Sequence, residues 1–86
     1  MSYFGKNIRK IRISKKMTQS EFAHLFNLKR TALGSYEEGR AEAKIDTVIK
    51  IADYFKLSLD DLLRKELTIN EIFHFKKELF FFNKKE

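Results

Sequence analysis

Proline is absent from all 86 residues of this chain, and glycine occurs only three times. Proline removes a backbone donor and clashes inside a helix, and glycine weakens helix interiors by roughly 0.5–1 kcal/mol relative to alanine. A chain almost free of both has little reason to leave helical backbone geometry, so an all-α fold is expected. Hydrophobic residues make up 43% of the chain, enough for one domain with a modest core. The absence of cysteine excludes disulfides and thiolate metal sites. The N-terminal "MSYFGKNIRK" lacks the apolar core of a signal peptide, and the longest apolar run, Leu79–Phe82, is far too short to span a bilayer. A cytoplasmic protein with no membrane partner is the expectation.

Apolar spacing divides the chain into short helices with tight joints. Phe4, Ile8 and Ile11 form one stripe of a first helix, about Tyr3 to Ser14. Thr18-Gln19-Ser20-Glu21 is a capping box, in which hydroxyl and carboxylate each satisfy the other's backbone amide. It starts a second helix with Phe22, Leu25 and Phe26 inward, and Met17 before it as a possible staple. Asn27 can take the left-handed conformation that closes a helix. Leu28 should lie under the turn, and a third helix follows from about Arg30 to Glu38, with Leu33 and Tyr36 inward and Gly39 ending it. A fourth spans roughly Asp46 to Phe55 and buries Val48, Ile51, Ala52 and Phe55, with Ile45 and Leu57 as flanking core positions. Ser58 caps a short fifth helix carrying Leu62 and Leu63. Thr68-Ile69-Asn70-Glu71 repeats the capping box and opens a sixth, from about Ile69 to Phe81.

Charge is unevenly placed. Residues 1–44 hold ten Lys/Arg and four Asp/Glu, a balance of +6, whereas residues 45–86 hold eight of each. All the excess positive charge therefore sits in the first half, which suggests an anionic partner, nucleic acid before any other. Lys29 and Arg30 stand where the third helix begins. Cations there oppose the helix dipole, at about 0.3–1 kcal/mol each. Two short helices with a three- or four-residue joint describe a helix-turn-helix, whose second helix points its N-terminal end into the major groove of DNA. Beside phosphates the same cations become favourable. Gly34 is unusual in mid-helix. It leaves space either for DNA or for a neighbouring helix.

These residues resemble a known family. From Gly5 to Leu63 the chain is similar to the phage-repressor/Cro-like (Xre) helix-turn-helix class, through "NIRKIRISKKMTQSEFA", "FNLKRTALGSYEEGR" and "IDTVIKIADYFKLSLDDLL" in that order. The resemblance implies a lambda-repressor-like five-helix DNA-binding domain over residues 1–66. It is followed by an additional aromatic-rich C-terminal helix and tail over residues 67–86. It further implies that Lys29, Arg30, Thr31 and Ser35 face bases in the groove, and that Gln19, Arg40 and Lys44 lie along the phosphate backbone. Arg12 and Glu37 match a family pair tying the first helix to the third, a structural role for Glu37. The chemistry is compatible: arginine can bond guanine O6 and N7 together, and Thr31 and Ser35 offer hydroxyls to a base edge. The chain departs from the family at Asn27 and Lys56, where glycine is usual, at Lys29, where a small capping residue is usual, and at Ala43, where proline is usual.

The tail lies outside the resemblance. Five phenylalanines, Phe73, Phe75, Phe80, Phe81 and Phe82, fall within ten residues. Pairing with a second copy through Ile72, Phe73, Leu79 and Phe80 is the favoured use. Packing back on its own domain and contacting a C-terminal domain beyond these residues are the alternatives. The partners expected are double-stranded DNA and a second copy of the chain, and no cofactor or metal is expected. Catalysis is not expected: His24 and His74 are far apart, with His24 facing solvent, and Asp60-Asp61 suits a helix N-terminus. The reading is a sequence-specific transcriptional regulator, a repressor before an activator, bound as a homodimer to a palindromic operator. An antitoxin-like module gripping a partner protein with its aromatic helix is the alternative.

Overall fold

The computed structural model describes residues 2–72. Five helices occur in order: α1 (Phe4–Ser14), α2 (Gln19–Leu25), α3 (Arg30–Glu37), α4 (Ile45–Phe55) and α5 (Leu59–Leu63). Residues 69–72 then begin a further helical turn. The all-α expectation holds, and helix limits differ from the sequence reading by a residue or so.

Local chemistry accounts for the ends. At α2 the Glu21 amide donates to Thr18 Oγ1 (3.1 Å) and the Thr18 amide donates to Glu21 Oε1 (2.8 Å). Ser58 caps α5 by accepting from the Asp61 amide at 3.0 Å. The exits of α1 to α4 share one closure, a left-handed residue followed by an amide that reaches back to a carbonyl five residues earlier. The left-handed residues are Lys16, Asn27, Gly39 and Lys56. The closing bonds run from Met17 to Arg12 (3.1 Å), Leu28 to Ala23 (2.9 Å), Arg40 to Ser35 (2.9 Å) and Leu57 to Ala52 (2.8 Å). In three closures the residue after the turn is apolar and packs on the core: Met17, Leu28 and Leu57. The fourth has the exposed Arg40 in that place.

The core joins Phe4, Ile8 and Ile11 of α1 to Phe22, Ala23 and Phe26, Leu33, Val48, Ile51, Ala52 and Phe55, and Leu62. Phe22 stacks on Phe55 with ring centroids 5.9 Å apart. Two expected core positions are corrected. Leu25 is 42% exposed, because α2 buries Phe22, Ala23 and Phe26, a stripe rotated away from Leu25. Ile45 is 60% exposed, because it opens α4 at the lip of a cleft between α1, α3 and α4 rather than over the core.

Gly5 lets α1 and α3 touch. A Cβ built there would lie 2.0 Å from the Tyr36 carbonyl oxygen, and backbone cannot yield as a side chain can. Gly5→Ala should therefore force the two helices apart and cost about 1–3 kcal/mol, read from the urea midpoint. Gly34→Ala is the control. Its added carbon would meet only the Gln19 amide, at 3.8 Å, an ordinary contact. It should leave the midpoint unchanged or raise it.

The boundary expected after residue 66 falls inside this core. Leu67 is completely buried and Ile72 is 5% exposed, both in the same cluster. Ile72 is thus corrected as a dimer contact: its side chain is already spent on its own domain. Phe73, Leu79 and Phe80, with the rest of the stretch expected to form a sixth helix, lie outside the described residues. The segment after α5 is strapped across α1. Lys10 Nζ donates to Glu66 Oε2 (2.7 Å) and to the Leu67 carbonyl (3.0 Å).

The second capping box forms as read, with Thr68 Oγ1 accepting from the Glu71 amide (3.1 Å) and Glu71 Oε1 from the Thr68 amide (2.9 Å). The Lys65 ammonium bonds Glu71 Oε2 at 2.7 Å. That bond, with the Thr68 amide, lowers the Glu71 carboxyl from 4.5 to about 2. A carboxyl depressed in the folded state contributes stability above its unfolded value and loses it on acidification. The helical start at residues 69–72 should therefore hold above pH 4.5 and loosen as pH falls toward 2. Carbon chemical shifts of the Glu71 carboxyl, followed with amide exchange at Ile72, would check it; a midpoint near 4.5 would refute it.

Candidate nucleic-acid interface

The turn between α2 and α3 sets the geometry. Left-handed Asn27 reverses the chain, half-buried Leu28 pins it to the core, and extended Lys29 (φ −75°, ψ 144°) delivers it into α3. No side chain caps α3 and its first turn carries no acid. Its amino end therefore presents unpaired amides together with exposed Lys29, Arg30 and Thr31. This arrangement suits an anion by both dipole and charge. The start of α4 is similar in one respect, since Lys44 stands at its N-cap with no side-chain bond. By contrast α2 and α5 are closed by Thr18 and Ser58.

The remaining expected residues are placed as follows. Ser35 is half-buried one turn after Thr31, on the same face of α3. Arg40 is exposed and donates to Glu38 Oε1 at 2.7 Å. An exposed pair of this kind is worth about 0–1 kcal/mol, so a phosphate can replace the carboxylate easily. Lys44 is exposed. Gln19 is half-buried at the first turn of α2, between α2 and α3.

Four of the expected residues meet in one chain of hydrogen bonds. Arg12 Nε donates to Glu37 Oε2 at 2.7 Å, and Arg12 Nη2 donates to Glu37 Oε1 at 3.0 Å. The Glu37 side chain is 2% exposed and that of Arg12 13%. Gln19 Nε2 donates to Glu37 Oε1 at 3.0 Å, and Arg30 Nη1 donates to Gln19 Oε1 at 3.0 Å. Among the described residues, no side-chain hydrogen bond joins Lys29, Thr31 or Ser35 to this chain. Gly34 lies beside Gln19, so its missing side chain faces the neighbouring helix.

Sequence reasoning missed two residues that hold the interface in place. Gly5 permits the α1–α3 approach. Asn7, completely buried, ties the segment after α5 to α1. Its signal was present: a lone amide on the apolar stripe of Phe4, Ile8 and Ile11. Among the described residues no His, Cys, Asp or Glu cluster could hold a metal, and no helix is long and apolar enough to cross a membrane.

Comparison with known proteins agrees with this geometry. The family model described as helix-turn-helix matches residues 8–62. An uncharacterized HTH-type transcriptional regulator, YqaE of Bacillus subtilis, is 38% identical over 73% of this chain and 54% of its own length. The SPbeta prophage-derived HTH-type regulator YonR of the same species is 34% identical over 71% of this chain and 56% of its own. Antitoxin PezA of Streptococcus pneumoniae is 29% identical over 79% of this chain and 43% of its own. This chain thus spans about half the length of the curated relatives it matches. A crystal structure of a transcriptional regulator from Listeria innocua shares the fold, with a TM-score of 0.69 at 24% identity over 96% of this chain and 78% of that one.

Proposed function

This chain belongs to the Xre-like helix-turn-helix family, whose matched members include HTH-type transcriptional regulators, and from that premise we propose that it is a sequence-specific DNA-binding regulator. It acts in the cytoplasm by laying the amino end of α3 in the major groove. Lys29, Arg30, Thr31 and Ser35 read bases, and Gln19, Arg40 and Lys44 hold phosphates. The observation that carries this reading is the acid-free, uncapped start of α3, where amides and two cations are exposed together. Such an end is mildly unfavourable in free protein and favourable beside a polyanion. Two copies bind an inverted repeat, and occupancy of a promoter represses transcription.

Selection from a random duplex library at roughly physiological salt, followed by sequencing, tests all of this. An enriched inverted repeat with a fixed spacer is expected, since two-fold related recognition helices sit one DNA turn apart, about 34–36 Å. A single half-site would refute the dimer, and no enrichment would refute sequence-specific reading. Within the selected site, Arg30→Ala should cost about 1–3 kcal/mol and relax preference at one base pair. An equal loss on every sequence would make Arg30 a phosphate contact.

The similarity to antitoxin PezA favours a second reading, an antitoxin-like module that also grips a partner protein. Co-expression with the product of a neighbouring toxin-like reading frame, scored by growth rescue and co-purification, would support it. Neither result would leave the DNA-binding reading alone.

A further inference from the structure

In α3 the charges at both ends oppose the helix dipole. Its start bears cations, the feature already assigned to DNA. Its end bears Glu37 and Glu38, and its last turn carries no base. Acids at a helix C-terminus are disfavoured, and a cation there is favoured. Arg12 answers Glu37. Glu38 is exposed and meets only the exposed Arg40. Glu42, in the loop beyond, is exposed and makes no hydrogen bond or ion pair among the described residues. Glu38 and Glu42 both line the cleft between α1, α3 and α4, whose volume is about 370 Å³. Small-molecule pockets commonly measure roughly 300–1,000 Å³. Phe4, Tyr36, Val48 and Leu63 give this one an apolar wall. Lys6 is the one cation among the lining residues. With Glu37 spent on Arg12, two carboxylates face one ammonium. The hollow is therefore net acidic, although residues 1–44 as a whole carry +6.

We propose that this cleft is an effector site for a small organic ammonium, an apolar body carrying one protonated amine. The body lies against Phe4, Tyr36 and Val48, and an aromatic face there also attracts a cation. The amine donates to Glu42 and Glu38 and meets the negative pole of α3. An organic anion of the same shape would face two carboxylates and that same pole. Binding reaches DNA through the loop between α3 and α4, which forms one wall of the cleft. With the amine on Glu38, Arg40 is released from that carboxylate and is free to hold a phosphate. This step rests on the phosphate role given to Arg40 above. The released guanidinium strengthens binding to every sequence alike, since a phosphate contact carries no base preference. By linkage, DNA tightens the ammonium by the same factor.

Two measurements on the full chain test it, with tryptamine as the probe. In the first, amide shifts are followed by NMR without DNA as tryptamine is added. Indolepropionate has the same ring with the opposite charge, and ethylammonium has the charge without the ring. Saturable shifts are expected at Gly39, Ala41, Ala43 and Val48, with tryptamine bound on the order of tenfold more tightly than either comparator. Glu42→Gln, at an exposed position, should remove most of the advantage over indolepropionate. Equal binding of tryptamine and indolepropionate would overturn the proposal, as would shifts that spread over the surface without saturating. In the second, affinity for the selected operator is measured with and without tryptamine at fixed ionic strength. The parent should bind several-fold more tightly with the amine. Neither Arg40→Ala nor Glu42→Gln should gain comparably at the same concentration, and the latter also controls for action of the amine on DNA itself. No gain in the parent, or a gain that survives Arg40→Ala, would overturn the effector role. If the parent selects no operator, the DNA-binding reading fails and the coupling falls with it. The titration without DNA then still reports whether the cleft takes an ammonium.

Discussion

Replacing Asn7 with leucine should cost about 2–6 kcal/mol, read from urea unfolding, although the two side chains have similar volumes. Asn7 Nδ2 donates to the carbonyls of Leu62 and Lys65, both at 2.8 Å, and Oδ1 accepts from the Leu67 amide at 2.8 Å. The bonds to Leu62 and Leu67 are buried; the one to Lys65 is partly so. Leucine strands two buried backbone groups, at about 1–3 kcal/mol each, while water can reach the third. Stability in domains is only about 0.05–0.15 kcal/mol per residue, so the loss is a large share of the total. Amide exchange at Leu67 should rise first, because Asn7 is what holds that segment to α1. Asn7→Asp sharpens the test. An ionised carboxylate would face two carbonyl oxygens, whereas a protonated one could donate to one of them. The deficit of the aspartate variant should therefore grow as pH rises through its titration. A leucine variant as stable as the parent would mean the three bonds contribute nothing net.

How far the sequence discloses this molecule depends on the range of each interaction. The capping boxes at Thr18 and Thr68 were legible because both partners lie three residues apart. Asn27 announced its left-handed turn because a short amide tolerates that geometry. Lys56 was marked only as a place where relatives prefer glycine, and Lys16 was not marked at all, since nothing in a lysine side chain signals positive φ. The phase of α2 was misjudged because seven residues make under two turns, too few for periodicity to choose between Ala23 and Leu25. Pairing with a second copy was the favoured use of the tail, with packing on its own domain an alternative. In fact the core of residues 1–66 is incomplete and takes Leu67 and Ile72 to close it.

The candidate site divides the same way. Exposed cations at the start of α3 are local and were visible in the order of residues. Of the chain behind them, only the Arg12–Glu37 pair was expected, through the family resemblance, and it is present; the other links were not legible, because Gln19 meets Arg30 across 11 residues and Glu37 across 18, and Asn7 meets Leu67 across 60. Gly5 carries its function in what it lacks, which no residue-by-residue reading reveals. The surface of α3 is thus written locally, while the contacts behind it are written at a distance.

Those contacts have their sharpest test at Arg12. Arg12→Met should destabilise the fold by about 3–5 kcal/mol, the usual effect of leaving one charge of a buried pair alone. Glu37 would keep a single donor, Gln19 Nε2 at 3.0 Å, in a site where its side chain is 2% exposed. The loss also frees the Met17 carbonyl, which accepts from Arg12 Nη1 at 2.9 Å and closes the turn between α1 and α2. Buried pairs gain little over apolar residues of similar size, because desolvation offsets attraction. The double variant Arg12→Met with Glu37→Leu should therefore unfold at a higher urea concentration than Arg12→Met alone. A double variant no better than the single would show that the cost lies in lost packing and the Met17 bond rather than in the orphaned carboxylate. If the restored fold binds DNA with undiminished sequence preference, the interior pair serves stability alone. If it binds with relaxed preference, the charge inside the protein is retained for the arginine outside it.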